Sequence, residues 1–163
     1  MRVIAITAED IWTALEDVMD PEIPVVSLVE LGVVRDVQVD GYKVTVHMTP
    51  TFSGCPALEV MGGDVVERIR QLGTEDVTVE WIYDPPWSSN WIKPAARDRM
   101  KTIGLAPPAI HNGDFQIVLL EPVECPHCTS MNTSLKNSFG TTPCRMIYVC
   151  VDCREPFEQF KPL

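Results

Sequence analysis

Cys125-Pro126-His127-Cys128 and Cys150-Val151-Asp152-Cys153 are two CxxC pairs with 21 residues between them. Two knuckles at this spacing bring four thiolates to the corners of one tetrahedron, which closes a structural Zn site. A disulfide reading of the same cysteines requires a secreted chain. The N-terminus argues against export, because the apolar run Val3 to Ile6 meets Glu9 and Asp10 too early for a secretory signal. The spacing therefore predicts a zinc ribbon over 123–163, with Zn held by Cys125, Cys128, Cys150 and Cys153. Its strands are expected around 134–139, 146–149 and 157–160. His127 lies inside the first knuckle, but four cysteines already fill the tetrahedron. Cys144 has no partner in this pattern, so it either packs in the small ribbon core or acts as a second thiol beside Cys55.

A chain of 163 residues holds one domain of ordinary size and a small appendage, not two full cores. A metal staple suits that appendage, since a core of about forty residues rarely holds itself together. The net charge is -10 and the pI near 4.6, which excludes phosphate-backbone binding through clustered Lys and Arg. Residues 1–123 hold 9 basic and 19 acidic side chains, whereas residues 124–163 hold four of each. The ribbon is neutral, unlike one built for nucleic acid. No stretch approaches the ~20 apolar residues of a membrane span, so a cytoplasmic protein with reduced cysteines is expected.

Upstream, Thr7 and Asp10 form a capping-box pattern, followed by Ile11, Trp12, Leu15, Val18 and Met19 at helical spacing. Pro21 ends that helix by Asp20. Val33, Val37 and Val39 lie on one strand face, Asp40-Gly41 is a hairpin turn, and Tyr42, Val44, Val46 and Met48 alternate on the return strand. Pro56 opens a helix that ends at Gly73. Gly62-Gly63 inside it suggests close approach of another backbone. Val77, Val79, Trp81 and Tyr83 make a third strand, and Trp91 to Ile103 a last helix closed by Gly104. The fold class is α/β of the α+β kind, a small mixed sheet with helices over one or both faces and a C-terminal zinc ribbon. The domains are expected at 1–105 and 123–163, with a linker over 106–122.

Cys55 stands apart from the other cysteines, in Thr49-Pro50-Thr51-Phe52-Ser53-Gly54-Cys55-Pro56. At a strand-to-helix junction the helix N-terminus stabilises a thiolate, so a lowered pKa is expected and Cys55 should be the most reactive thiol. Such a thiolate could attack an electrophile or ligate iron, with the hydroxyls of Thr49, Thr51 and Ser53 as donors nearby. The other reading is a small buried residue in a tight turn. Asp20 and Glu22 are the nearest candidates for hard oxygen ligands, although an acidic pair beside proline is also a common solvated turn. His47 should be an exposed histidine opposite the apolar strand face. Trp81, Trp87 and Trp91 read as core, although Pro85-Pro86-Trp87 on a loop could also present an aromatic to a partner.

With these motifs placed, residues 8–105 resemble a family of iron-sulfur assembly factors that includes bacterial SufT and the eukaryotic cytosolic iron-sulfur targeting proteins. The matching residues are Asp20-Pro21-Glu22-Ile23-Pro24, Glu30-Leu31-Gly32-Val33-Val34, Thr49-Pro50-Thr51 and Gly54-Cys55-Pro56. Asp84-Pro85-Pro86-Trp87, the two CxxC pairs, Ser138-Phe139-Gly140 and Glu155-Pro156-Phe157 extend the resemblance over nearly the whole chain, to the PaaD family. These are accessory proteins of phenylacetyl-CoA ring-epoxidase systems.

The resemblance implies a maturation factor for the iron-sulfur or diiron centre of a phenylacetyl-CoA-type ring 1,2-epoxidase, not an enzyme. It implies Cys55 as the thiol that handles iron or a cluster, with Asp20 and Glu22 as neighbours. It implies transient iron or an iron-sulfur cluster as cargo and oxygenase or reductase subunits as partners, with no nucleic acid and no membrane. One thiolate supplies too few ligands to hold a cluster, so transfer calls for a homodimer or for a client that completes the coordination. Two other classes are a thiol enzyme using Cys55 as nucleophile, which needs a base within reach, and a structural subunit of the oxygenase.

Overall fold

Thr7 starts the first helix as its capping pattern requires. Its hydroxyl accepts the Asp10 N–H at 3.2 Å, and the Asp10 carboxylate accepts the Thr7 N–H at 2.9 Å. In the computed structural model, which describes residues 6–113 and 121–163, this helix is α1 (Ala8–Leu15), with Ile11, Ala14 and Leu15 buried. The chain forms two compact units, Met1–Trp87 and Ser88–Leu163. Among the described residues no helix is long and apolar enough to cross a membrane.

In the first unit a loop follows α1 and buries Ile23, Val26, Leu28 and Leu31. A second reciprocal box shapes it: the Ser27 N–H donates to the Glu30 carboxylate and the Glu30 N–H to the Ser27 hydroxyl, both at 3.1 Å. Strands β1 (Val34–Asp40) and β2 (Lys43–Met48) form the expected antiparallel hairpin. Gly41 takes φ +61° at its turn, a conformation that glycine adopts without a Cβ penalty. Helix α2 (Leu58–Arg70) then crosses to β3 (Asp76–Trp81), which pairs in parallel with β2, so the sheet order is β1-β2-β3.

The β2 residues Val44, Val46 and Met48 are fully buried, as are Met61, Val65 and Ile69 of α2. The opposite face is polar, with cross-strand rows Asp36-His47-Glu80, Gln38-Thr45-Thr78 and Asp40-Lys43-Asp76. His47 lies on that face as expected but is less exposed than a free strand histidine. Its side chain is 16% exposed and its ring nitrogens reach Asp36 at 3.4 Å and Glu80 at 3.2 Å. Trp87 is buried and donates its indole N–H to the Leu31 carbonyl at 3.0 Å, so it is core and is not offered to a partner.

In the second unit the helix expected from Trp91 starts later. Lys93 precedes proline and is extended (φ -62°, ψ 144°), so α3 begins at Pro94 and runs to Thr102. A single 3-10 turn, Ser89–Trp91, comes before it. Strand β4 (Leu105–Ala106) adds in parallel to β7 (Pro156–Phe160), beside β6 (Arg145–Cys150) and β5 (Thr133–Asn137), in the order β4-β7-β6-β5.

The three ribbon strands fall where the sequence puts them. The division of the chain falls earlier than the expected boundary after residue 105. Ala106 belongs to the ribbon core with Val123, Met146, Tyr148 and Phe157, and Ser89 exchanges backbone and hydroxyl hydrogen bonds with Leu163. Of the expected linker, residues 114–120 lie outside the described residues.

Gly62 and Gly63 do not mark a close backbone approach. A Cβ on Gly62 would meet the Trp81 ring at 3.9 Å, an ordinary contact, and one on Gly63 would meet nothing within 4 Å. The cost of glycine inside α2 is thus uncompensated. Gly63→Ala should raise the stability of the first unit by about 1 kcal/mol in urea melts. A lower melting midpoint would reveal a neighbour that the structure does not show.

Candidate functional site

Four sulfurs converge at one end of the ribbon. Cys125 and Cys128 come from the turn before β5, Cys150 ends β6, and Cys153 lies in the turn to β7. Their sulfur atoms all lie within 4.8 Å of one another. The Cys125–Cys153 and Cys128–Cys150 separations are 3.7 and 3.5 Å. A disulfide needs about 2.05 Å, whereas a tetrahedron with metal–sulfur bonds of about 2.3 Å has edges of about 3.8 Å. The donor set fits a tetrahedral thiophilic ion.

The surroundings support this geometry. The Asp152 carboxylate of the second knuckle accepts the Asn132 amide at 2.7 Å and the Ser130 hydroxyl at 2.5 Å, tying it to the residues after the first knuckle. The backbone N–H of Cys153 points at the Cys150 sulfur and brings that thiol down to about 7. At Cys153 a backbone N–H from Glu155 favours the thiolate, but burial and the neighbouring sulfurs outweigh it and push the thiol up to about 12. Sulfurs this close do not ionise together without a cation among them. His127 is exposed and stands outside the cluster, next to Gly104. Cys144 is buried, with its sulfur 3.1 Å from the Thr142 hydroxyl.

In the first unit Cys55 occupies the loop between β2 and α2. Its N–H donates to the Phe52 carbonyl at 3.1 Å, and the Phe52 ring folds back over Gly54, where a Cβ would lie 3.1 Å from the ring. The helix begins at Leu58 with Ala57 as its N-cap, so Cys55 precedes the first turn.

This corrects the expectation of an activated thiol. Burial raises the Cys55 pKa above its ordinary value; the Ala57 N–H lowers it, and the charges of Glu22 and Asp20 raise it again. The Ala57 N–H is the helix-end donor at the sulfur, and burial with two carboxylates overcomes it. Among the described residues no hydroxyl of Thr49, Thr51 or Ser53 bonds to it; Thr49 is buried and Ser53 exposed.

Asp20 and Glu22 are therefore brought into electrostatic range of Cys55. Asp20 is not a solvated turn residue. It is 8% exposed, and its Oδ1 accepts the N–H groups of Glu22 and Ile23, each at 2.8 Å. Those two bonds fix the direction of the Asp20-Pro21-Glu22-Ile23-Pro24 loop. The Ser27-x-x-Glu30 box that holds the next segment was readable as a capping pattern, yet it lies in a loop where no helix is expected.

Two protein families match separate parts of the chain. The profile of the iron-sulfur cluster assembly protein family matches residues 8–81, and that of the PaaD zinc beta ribbon domain matches residues 116–161. An Escherichia coli (strain K12) protein, provisionally named as one of the subunits of 1,2-phenylacetyl-CoA epoxidase, is 41% identical over 152 residues, which is 93% of this chain and 91% of that protein. An Fe-S protein maturation auxiliary factor of Porphyromonas gingivalis is 37% identical over 55% of this chain and 87% of its own. A conserved hypothetical protein of Thermotoga maritima, of known structure, superimposes with a TM-score of 0.52 at 36% identity, over 59% of this chain and 95% of that one. From these matches, and above all from the relative that spans both units, the chain belongs to the iron-sulfur cluster assembly protein family, in the form that carries a PaaD zinc beta ribbon domain.

Proposed function

We propose that this protein is a cytoplasmic maturation factor that delivers iron or an iron-sulfur cluster to the metal centre of a phenylacetyl-CoA-type ring 1,2-epoxidase, and that it turns over no substrate itself. The observation that carries this reading is the electrostatic setting of Cys55. A nucleophilic thiol needs a depressed pKa or an adjacent base, and here burial, Glu22 and Asp20 raise it. The same two carboxylates attract a cation, and a cation at the thiol releases its proton. Cys55 is thus suited to stay protonated at rest and to become a ligand when iron arrives. The relatives named as maturation factors support the cargo, and the E. coli relative supports the client.

The ribbon serves this role as a folded module, with zinc as its structural ion on Cys125, Cys128, Cys150 and Cys153. Four thiolates with no open position suit a structural site and leave no place for substrate. Metal analysis should find one zinc per chain. Cys150→Ser should unfold the ribbon, seen as protease sensitivity in the second unit, because metal binding in such a module is folding free energy. The first unit, with its own apolar core, should resist. Two disulfides across these positions and no bound metal would refute the zinc assignment.

Alkylation tests the thiol. The Cys55 rate at pH 8 should be slower than in the unfolded chain and should still be climbing above pH 9, since the folded thiol titrates above its ordinary value. Glu22→Gln should speed it by removing one of the two repelling charges. A Cys55 that labels faster folded than unfolded would favour the thiol enzyme instead.

Cys55→Ser should leave the fold intact while co-expressed epoxidase subunits accumulate with too little iron or an incomplete cluster. Full metal content with lost activity would point to a structural subunit. Full metal content with full activity would overturn the maturation role.

A further inference from the structure

We propose that the protein pairs with a second copy of itself through its ribbon unit, with Phe139 of each copy inserted into an apolar cavity of the other. Phe139 sits in the loop between β5 and β6 and is 69% exposed. That loop is held more firmly than an idle surface turn requires. Glu158 Oε1 accepts the Thr141 N–H at 2.7 Å, and Oε2 accepts the Arg145 guanidinium at 2.9 Å and the Thr141 hydroxyl at 3.2 Å. The Phe139 N–H donates to the Asn137 side chain at 3.0 Å, and the Gly140 N–H to the Arg145 carbonyl at 2.8 Å. A Cβ on Gly140 would fall 2.7 Å from Glu158 and 2.9 Å from Arg145, so the loop closes only on glycine. This bracing orders the backbone from which the benzyl group protrudes. An anchor ordered before binding loses less entropy when it docks.

The same unit holds a matching receptor. A cavity of about 210 Å3 is walled by Val123 and three prolines, with Lys101, Glu121, Glu124 and Gln159 also on its lining. An apolar cavity of about 150 Å3 is enough for benzene, so a phenylalanine side chain fits. Phe139 of the same chain does not fill it, being exposed.

Charge agrees with shape. Lys161 Nζ stands 4.8 Å from the Phe139 ring centre, so the protrusion carries a cation. At the cavity Glu124 pairs with Lys101 at 2.7 Å, which leaves the exposed Glu121 as the excess negative charge. Reciprocal insertion about a two-fold axis closes the assembly at two copies, whereas one-way insertion would build an open head-to-tail chain, so growth beyond the dimer would overturn the pairing.

The test is sedimentation of the full, metal-loaded chain over a wide concentration range. The wild-type chain should be a dimer. Phe139→Ala should raise its dissociation constant by about 30-fold or more, the loss expected of an interface hot spot, with circular dichroism and metal content unchanged. Glu121→Lys and Lys161→Glu should each weaken the dimer, and the two together should restore it. A monomeric wild type overturns the proposal, as does a dimer indifferent to Phe139→Ala. A monomer that needs Phe139 to bind epoxidase subunits also overturns it, and assigns the anchor to a client. If Phe139→Ala fails to fold, the charge reversal decides: recovery in the double variant supports the pairing, and no recovery refutes it.

Discussion

Four sulfurs held within 4.8 Å are the constraint around which the second unit is built. Cys125 and Cys150 are fully buried members of the ribbon core, so the geometry that gathers the sulfurs also sets β6 against β7. The two knuckles are fastened to each other through Asp152, Ser130 and Asn132 outside the sulfur cluster. Cross-bracing of this kind orients ligands and restricts their movement. The rest of the unit extends from that end, with β4 and α3 added to the side of the sheet away from β5.

In the first unit burial, with the charges of Glu22 and Asp20, favours the protonated form of the Cys55 thiol. Asp20 Oδ1 accepts two backbone N–H groups. A buried carboxylate with fixed donors is stable in place, and its charge still reaches the sulfur. α2 is held against α1 by Arg68, which pairs with Asp17 at 2.7 Å and donates to the Ala14 carbonyl at 3.2 Å.

Most of the fold was legible because local chemistry agreed with it. The capping box at Thr7, the Asp40-Gly41 turn, the alternation in β2 and the CxxC spacing each point to one structure, and the structure has them. The failures share a cause. The polarity of Cys55 was inferred from a helix that starts later than the proline suggests, so burial and remote charges decided the thiol. Asp20 and Glu22 approach Cys55 only through tertiary folding, and residues so far apart in the chain leave no spacing signal. The early boundary of the second unit arises in the same way, because Leu105-Ala106 is too short to show strand alternation and joins the sheet only by pairing with β7.

The polar rows on the open face of the first sheet bear on how the protein behaves when crowded. Both outer strands of that sheet have a backbone edge with no neighbouring strand among the described residues, the usual starting point for sheets of different molecules to fuse. β1 carries Asp36 and Asp40, with Arg35 between the buried Val34 and Asp36, and β3 carries Asp76 and Glu80 with no base at all. When β1 of one molecule drifts toward β3 of another, carboxylate meets carboxylate. The rows that satisfy Lys43 and His47 inside the sheet thus leave like charge at both rims, and the protein is defended against polymerising through its strands.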